Sequence, residues 1–123
     1  MRHPGRVHDR PVTAERWRAL RDELDERATA ARSSQEAAIE LAAAFGRLSD
    51  AERSSVLPAL DEWLLSDDEA LRFDAMYVIA VYSVDEAVPA LRLLLDRLEA
   101  SSAAGAPYEW AKVNRLIGQL AVR

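Results

Sequence analysis

Two related stretches of five residues decide the fold of this chain. The sequence Val-Leu-Pro-Ala-Leu at 56–60 returns 31 positions later as Ala-Val-Pro-Ala-Leu at 87–91, and each copy belongs to an amphipathic segment rich in leucine. A more apolar segment, 71–80, lies between the copies. Self-similarity with a period of about 20 to 50 residues is typical of repeat architectures, whose helical units bury their apolar faces by stacking. The repeat therefore predicts a short α-solenoid, and solenoids mostly bind other macromolecules.

Length and composition indicate one globular domain. The chain has 123 residues, of which half are apolar and 30% are charged, a balance typical of soluble folded proteins. No apolar run approaches the ~20 residues that a membrane-spanning helix needs. Residues 1–12 are predicted to form a flexible leader. They lack the apolar stretch that a secretory signal contains. Residues 13–123 are predicted to form a single helical domain, and the absence of cysteine leads us to expect a cytoplasmic protein.

Apolar residues recur at helical spacing along most of the chain, whereas no stretch alternates polar and apolar residues as a half-buried strand does. We therefore predict an all-α fold of about six helices. Their predicted bounds are about 14–31, 34–46, 50–65, 68–82, 86–100 and 107–121.

Capping motifs mark most of the helix starts. Thr13 is predicted to cap the first helix, and Ser and Glu stand three residues apart at 33–36, 49–52 and 66–69, which is the capping-box pattern. Asp85 is predicted to cap the fifth helix.

Glycine and proline indicate where helices end or bend. Gly46 follows the second apolar stripe, where a left-handed C-terminal cap is expected. Pro58 lies inside the third helix, so we expect a kink or a restart near 54–56. Pro89 and Pro107 are predicted to occupy the first turns of the last two helices, where a missing N–H group costs little.

The segment 66–99 resembles one unit of the bacterial HEAT-like repeats of the PBS-lyase type. In such a unit an acidic turn precedes a helix of Val/Leu-Arg-x-x-Ala pattern, here Asp-Glu-Ala-Leu-Arg-Phe-Asp-Ala at 68–75, and a second helix opens Ala-Val-Pro-Ala-Leu, here at 87–91. The resemblance is partial over 35–65 and 107–121, and the usual glycine late in the first helix is replaced by Val81 and Tyr82. It implies a short α-solenoid of stacked antiparallel helix pairs with a binding role, and it brings no catalytic residues.

The charge of the chain is concentrated in its middle. The net charge is −5, and residues 61–86 alone carry eight acids against one arginine. Such a surface favours a basic protein partner, since complementary charge selects partners and speeds association. The candidate partner-binding residues are six acids and two aromatics: Asp61, Glu62, Asp67, Asp68, Glu69, Asp74, Phe73 and Tyr77.

Two of these predictions leave alternatives open. Asp74 lies in the most apolar segment, so it must reach solvent, a partner, or an arginine of a neighbouring helix such as Arg92. Phe73, Tyr77 and Tyr82 exceed what one buried stripe needs, so they lie either on an exposed contact surface or in a helix buried on both sides.

Residues for catalysis are scarce in the predicted helical domain. The only histidines, His3 and His8, belong to the leader, so the rest of the chain lacks the histidine and cysteine of nucleophilic or zinc-dependent hydrolysis. No glycine-rich phosphate-binding motif is present. The pairs Glu36/Glu40 and Asp22/Glu26 could hold a divalent ion, or they are surface acids near arginines. We expect no catalytic residue, metal or cofactor.

These observations lead us to expect a non-enzymatic module that binds a basic protein. One concrete version is an immunity or inhibitor protein that covers a basic toxin, and an adaptor or a regulator fits equally well. A nucleic-acid-binding repeat protein is a weaker alternative, because the middle of the chain is acidic; its basic strip would be Arg16, Arg18, Arg21, Arg27 and Arg32. A carboxylate-based, metal-dependent enzyme is another alternative, and homodimerisation through the open ends of the stack is compatible with each.

Overall fold

The computed structural model describes residues 11–31 and 34–122, without the side chains of 25, 27–31, 34 and 35. These residues form six α-helices and a short 3-10 helix, and they contain no strand. The helices are α1 (Ala14–Ala31), α2 (Ser34–Gly46), α3 (Asp50–Leu64), α4 (Glu69–Tyr82), α5 (Val88–Ala100) and α6 (Ala106–Ala121), with the 3-10 helix at Asp85–Ala87. The prediction of an all-α fold is confirmed.

Consecutive helices pack in pairs, and the pairs pack side by side. α1 contacts α2, α3 contacts α4, and α5 contacts α6; α3 also lies between α1 and α5, and α2 packs against α4. By contrast, α4 has almost no close backbone contact with α5 or α6. These contacts are consistent with a stack of helix pairs, although the predicted unit of α4 and α5 is not one of the extensive pairs.

Aromatic side chains join the first three helices in the core. The Trp17 ring of α1 is fully buried and stacks on Trp63 of α3, with ring centroids 6.0 Å apart. The Trp17 ring also makes an aromatic contact with Phe45 of α2, whose ring approaches edge-on with centroids 6.1 Å apart. Such aromatic pairs contribute about 0.5–1.5 kcal/mol each beyond the burial of their area.

The two copies of the repeated stretch occupy equivalent environments. In each copy the first, fourth and fifth residues are buried, the second is partly buried, and the proline is exposed. The buried residues are Val56, Ala59 and Leu60 in α3, Ala87 at the end of the 3-10 helix, and Ala90 and Leu91 at the start of α5. The sequence repeat therefore reflects a repeat in packing, since α3 and α5 are neighbours in the same layer.

The structure confirms two of the predicted helix starts. The backbone N–H of Arg16 donates to the Thr13 hydroxyl at 3.3 Å, and Ser49 and Glu52 form both hydrogen bonds of a capping box. The carboxylate of Glu52 also accepts from the N–H of Val12 at 2.9 Å, which ties part of the predicted leader to α3. The backbone N–H groups of Ser49 and then Val12 lower the pKa of Glu52. The predicted box at 33–36 and residues 1–10 lie outside the described residues.

Two predicted caps are wrong. The N-cap of α4 is Asp68, whose carboxylate accepts from the N–H of Ala70 at 2.9 Å, while the Ser66 hydroxyl accepts from the N–H of Asp68. Asp85 lies inside the 3-10 helix rather than capping α5, because backbone carbonyls already accept from the N–H groups of Ala87 and Val88 at this junction.

Proline and glycine also act differently from the prediction. α3 runs without interruption through Pro58, so of the predicted kink or restart near 54–56 the restart is wrong, and the kink stays a prediction. Gly46 ends α2 without a left-handed conformation; instead, a Cβ atom there would lie 2.9 Å from the Cζ atom of Tyr82. The left-handed cap occurs at Ser83, after α4, with φ of 51°. Pro89 and Pro107 lie in first turns, as predicted.

Candidate functional site

A groove of about 360 Å³ runs between α4 and α6, and we refer to it as the α4–α6 groove. It exists because α4 packs on α2 and α3, whereas α6 packs on α5 and stays apart from α4. Five residues of α4 and six of α6 line it: Glu69, Phe73, Met76, Tyr77, Ala80, Tyr108, Glu109, Lys112, Arg115, Leu116 and Gln119. The groove thus combines an apolar floor with charged rims.

The α4 wall of the groove brings together three of the predicted partner-binding residues. Glu69, Phe73 and Tyr77 are spaced four residues apart, so they share one face of the helix. The rings of Phe73 and Tyr77 contact each other with centroids 6.4 Å apart. Phe73 is 40% exposed and Tyr77 is partly buried, while Val78 and Ile79 on the opposite face are fully buried. The sequence left open whether these aromatics are exposed or buried on both sides of the helix, and Phe73 is exposed.

The sequence reasoning did not single out the α6 wall of the groove. Tyr108 is 71% exposed, and the Lys112 ammonium lies 4.7 Å from the centroid of its ring, a cation–π contact. Arg115 follows on the same rim and is also exposed. The available signal was an aromatic, a lysine and an arginine at i, i+4 and i+7 on the polar side of a helix.

A bidentate ion pair closes one end of the groove. Arg72 donates from Nε to Glu109 at 2.6 Å and from a terminal nitrogen to the other carboxylate oxygen at 2.9 Å. Its second terminal nitrogen donates to the Ser66 carbonyl at 2.9 Å. The hydrogen bonds to Glu109 raise the pKa of Arg72. Arg72 and Glu109 both lie near the starts of their helices, and the groove continues from this end to Ala80 on α4 and Gln119 on α6, so the two helices run along it in the same direction.

Three adjacent acids, 67–69, form an acidic corner beside this end of the groove, and all three are exposed. Asp68 is engaged in capping α4. Asp67 and Glu69 also line a neighbouring cavity of about 350 Å³ that Arg72 and Arg97 share. Of the acidic corner, only Glu69 lines the α4–α6 groove itself, and Asp67 lies in the neighbouring cavity with Arg72 and Arg97.

The remaining predicted acids on α3 do not line the groove. Glu62 is exposed and pairs with Arg18 of α1, with 2.6 Å between nitrogen and oxygen. Asp61 is partly buried, and this burial raises the pKa of its carboxyl.

Asp74 lies in the interior rather than on the predicted acidic surface. Its carboxylate is 2.7 Å from the Nε of Arg21 on α1, and both residues are less than a tenth exposed. The suggested partner, Arg92, is an exposed residue of α5. A buried carboxylate needs a charged or hydrogen-bonding partner, and Arg21 meets this need because α1 and α4 belong to adjacent helix pairs.

The same ion pairs break the basic strip predicted on α1. Arg21 is directed inward to Asp74, and Arg18 pairs with Glu62. The side chains of Arg27 and Arg32 lie outside the described residues.

The described side chains do not assemble a metal-binding cluster of three or more histidine, cysteine or acidic residues. The four carboxylates predicted as pairs, Asp22, Glu26, Glu36 and Glu40, are all exposed. Among the helices of the described residues, none has the length and apolarity needed to cross a membrane.

Comparison with known proteins gives no further guide to this site. The sequence matches no protein-family model, no curated protein and no solved structure at a significant level. The α4–α6 groove is therefore interpreted from its own residues.

Proposed function

We propose that this chain is a non-enzymatic binding module that holds a protein partner in the α4–α6 groove. The observation that carries the proposal is the exposure of aromatic side chains along a concave, largely apolar surface: Phe73 is 40% exposed and Tyr108 is 71% exposed. Aromatic side chains contribute most strongly to protein interfaces when a partner covers them. Ligand-binding sites also combine an apolar lining with a few polar groups that set orientation.

The proposal includes a basic surface on the partner. The chain carries a net charge of −5, and the acidic corner at 67–69 stands exposed beside the groove. Complementary charge around an apolar contact raises the association rate and selects partners. An inhibitor or immunity protein that covers a basic protein is one version of this function, and a cytoplasmic adaptor is another.

The same proposal extends to the architecture. We infer a short HEAT-like solenoid, supported by the equal burial of the two repeat copies and by the neighbouring positions of α3 and α5. In such stacks each helix pair packs on the next, and here the last two pairs pack on each other mainly through α3 and α5, which leaves a space between α4 and α6.

An affinity pull-down from native lysate tests the groove. The baits are the wild-type chain, the groove variant Phe73→Ala/Tyr108→Ala, and the control variant Leu93→Ala, which removes an exposed apolar side chain of α5 outside the groove. We expect one protein to be retained by the wild-type and Leu93→Ala baits and to be reduced about tenfold or more on the groove variant. Retention that is indifferent to the groove variant, or the absence of any partner, would contradict the proposal.

The role of the acidic corner is tested separately by charge reversal. Asp67→Lys/Glu69→Lys is compared with Asp96→Lys/Glu99→Lys, two exposed acids of α5 whose replacement changes the net charge equally. We expect the first variant to lose the partner and the second to keep it, and the wild-type complex to weaken as salt rises. Equal effects of both variants would show that overall charge, rather than the acidic corner, recruits the partner.

A further inference from the structure

The charge along the α4–α6 groove changes from acidic to basic. Glu69 lies at the end where both helices begin, next to the acidic corner, while Lys112 and Arg115 follow along α6. Glu109 also lies at the first end, but Arg72 neutralises it. Neither Lys112 nor Arg115 forms an ion pair with another described residue. Two bases without an ion-pair partner among the described residues therefore lie farther along the groove than the exposed acid Glu69, with Phe73 and Tyr77 on the floor beside them.

The groove also interrupts a layer of helices. α2 packs directly against α4, whereas α4 and α6 leave the apolar side chains of Met76 and Leu116 facing a shared open space. Packed helices approach within about 8–10 Å by fitting the side chains of one between those of the other. The volume of about 360 Å³ is too small for a whole helix but accommodates a row of its side chains. This shape is suited to one apolar helix face laid along the groove.

We propose that the α4–α6 groove binds a single amphipathic helix of the partner, running antiparallel to α4 and α6. This inference rests on the proposed function and adds the chemistry of the bound segment. The helix carries lysine or arginine in its last turn, which contacts Glu69 and the acidic corner, and aspartate or glutamate in its first turn, which contacts Lys112 and Arg115.

The direction follows from the helix dipole. A free helix favours acidic residues near its N-terminus and basic residues near its C-terminus. Only the antiparallel direction places both preferred ends against complementary charges of the groove. A parallel helix would need bases in its first turn and would bring its positive end to the positive ends of α4 and α6.

The spacing of the charges sets a pattern for the bound helix. Arg115 lies six residues beyond Glu109, and Glu109 pairs with Arg72, which lies three residues beyond Glu69. Glu69 and Arg115 are therefore about nine residues apart along the groove, roughly 13–14 Å at 1.5 Å per residue. The acidic and basic residues of the partner therefore lie between two and three turns apart. Apolar residues at i, i+3 or i+4 and i+7 between them face Phe73, Tyr77 and Tyr108.

Selection from a displayed library of helical peptides tests this inference. The apolar stripe of the peptides is fixed, and the flanking positions vary among aspartate, lysine and serine. We expect selection on the wild-type chain to enrich acid-first, base-last peptides, and a charge-inverted copy of the best peptide to bind about tenfold more weakly in fluorescence anisotropy. The selection is repeated on two variants. Lys112→Glu/Arg115→Glu should lose the preference for peptides with acid in the first turn. The control Arg47→Glu/Arg92→Glu, which replaces two exposed arginines outside the groove, should keep this preference.

The outcomes separate this inference from the proposed function. Enriched peptides without charge order, or with the reverse order, that still need Phe73 and Tyr108 would overturn the antiparallel helix and leave the groove as a protein-binding site. If no peptide is enriched, or if Phe73→Ala/Tyr108→Ala binds the enriched peptides equally well, the groove does not hold a helix. The pull-down with the same groove variant then decides the proposed function independently.

Discussion

The buried ion pair between Arg21 and Asp74 provides a direct test of how the helix pairs are held together. Both residues are less than a tenth exposed, and the pair joins α1 to α4 through a contact of 2.7 Å. Asp74→Ala removes the carboxylate that pairs with the buried Arg21 guanidinium. Removing one partner of a buried pair costs roughly 3–5 kcal/mol. We expect Asp74→Ala to lower the free energy of unfolding by this amount.

Equilibrium urea unfolding followed by circular dichroism measures the loss. With an unfolding entropy of about 2.1 cal/mol/K per residue, a chain of 123 residues loses about 4 °C of Tm per kcal/mol, so Tm should fall by about 12–20 °C. The matched control is Glu62→Ala, which breaks the pair with Arg18. That contact is shorter, at 2.6 Å, but both side chains are exposed, and such pairs contribute about 0–1 kcal/mol. Burial, rather than distance, should decide the cost.

The double variant Arg21→Met/Asp74→Leu keeps the reasoning testable if Asp74→Ala does not fold. Replacing a buried pair by apolar side chains is often neutral or stabilising by about 1–4 kcal/mol, so the double variant should recover most of the lost stability. A cost of Asp74→Ala below about 1 kcal/mol would refute the argument from burial. A double variant as unstable as the single one would show that packing, rather than the loss of the ion pair, causes the instability.

Three further predictions concern backbone geometry and pH. Gly46→Ala should cost about 1–3 kcal/mol in urea unfolding, because its Cβ would meet the Tyr82 ring, and should become neutral or stabilising in a Tyr82→Ala background; equal costs in both backgrounds would contradict this. Ser83→Gly should have a higher Tm than Ser83→Val, since φ is 51° and glycine adopts this conformation without strain; the reverse order would exclude backbone strain as the cause. Hydrogen bonds led by the Ser49 N–H lower the pKa of Glu52 below its ordinary 4.5, so its contribution is present above that pH and lost as pH falls through the lowered pKa. Thermal melts should therefore show Glu52→Gln less stable than wild type at pH 7 and the difference shrinking below pH 4.5, whereas a constant difference would contradict the assignment.

The helix starts show which N-caps could be predicted from the local sequence. The capping box at Ser49 is confirmed because Glu52 stands three residues away and both hydrogen bonds form within a single turn. The box predicted at Ser66 failed because Asp68, two residues later, offers a carboxylate at a position that also caps α4. Where two acceptors lie within one turn, the path of the incoming chain decides which of them becomes the cap.

The sequence predicted residues of the α4 wall of the groove but not those of the α6 wall. Phe73 and Tyr77 stood out because α4 carries more apolar residues than a single buried stripe needs. The opposite wall had no comparable signal, since Lys112 and Arg115 have the pattern of any solvated helix face. Their role as a rim depends on the position of α6 beside α4, which the local sequence does not encode.

The sequence by itself determined the all-helical fold, the approximate bounds of its six helices and the equal environments of the two repeat copies, because helical periodicity and capping act within a turn or two. Tertiary structure decided that Asp74 pairs with Arg21, 53 positions away, and that Gly46 makes room for Tyr82. It also decided that α4 and α6 enclose a groove along which acidic residues are followed by basic ones. These features depend on how helices dock, and docking is set by the sum of many weak contacts between residues far apart in the chain.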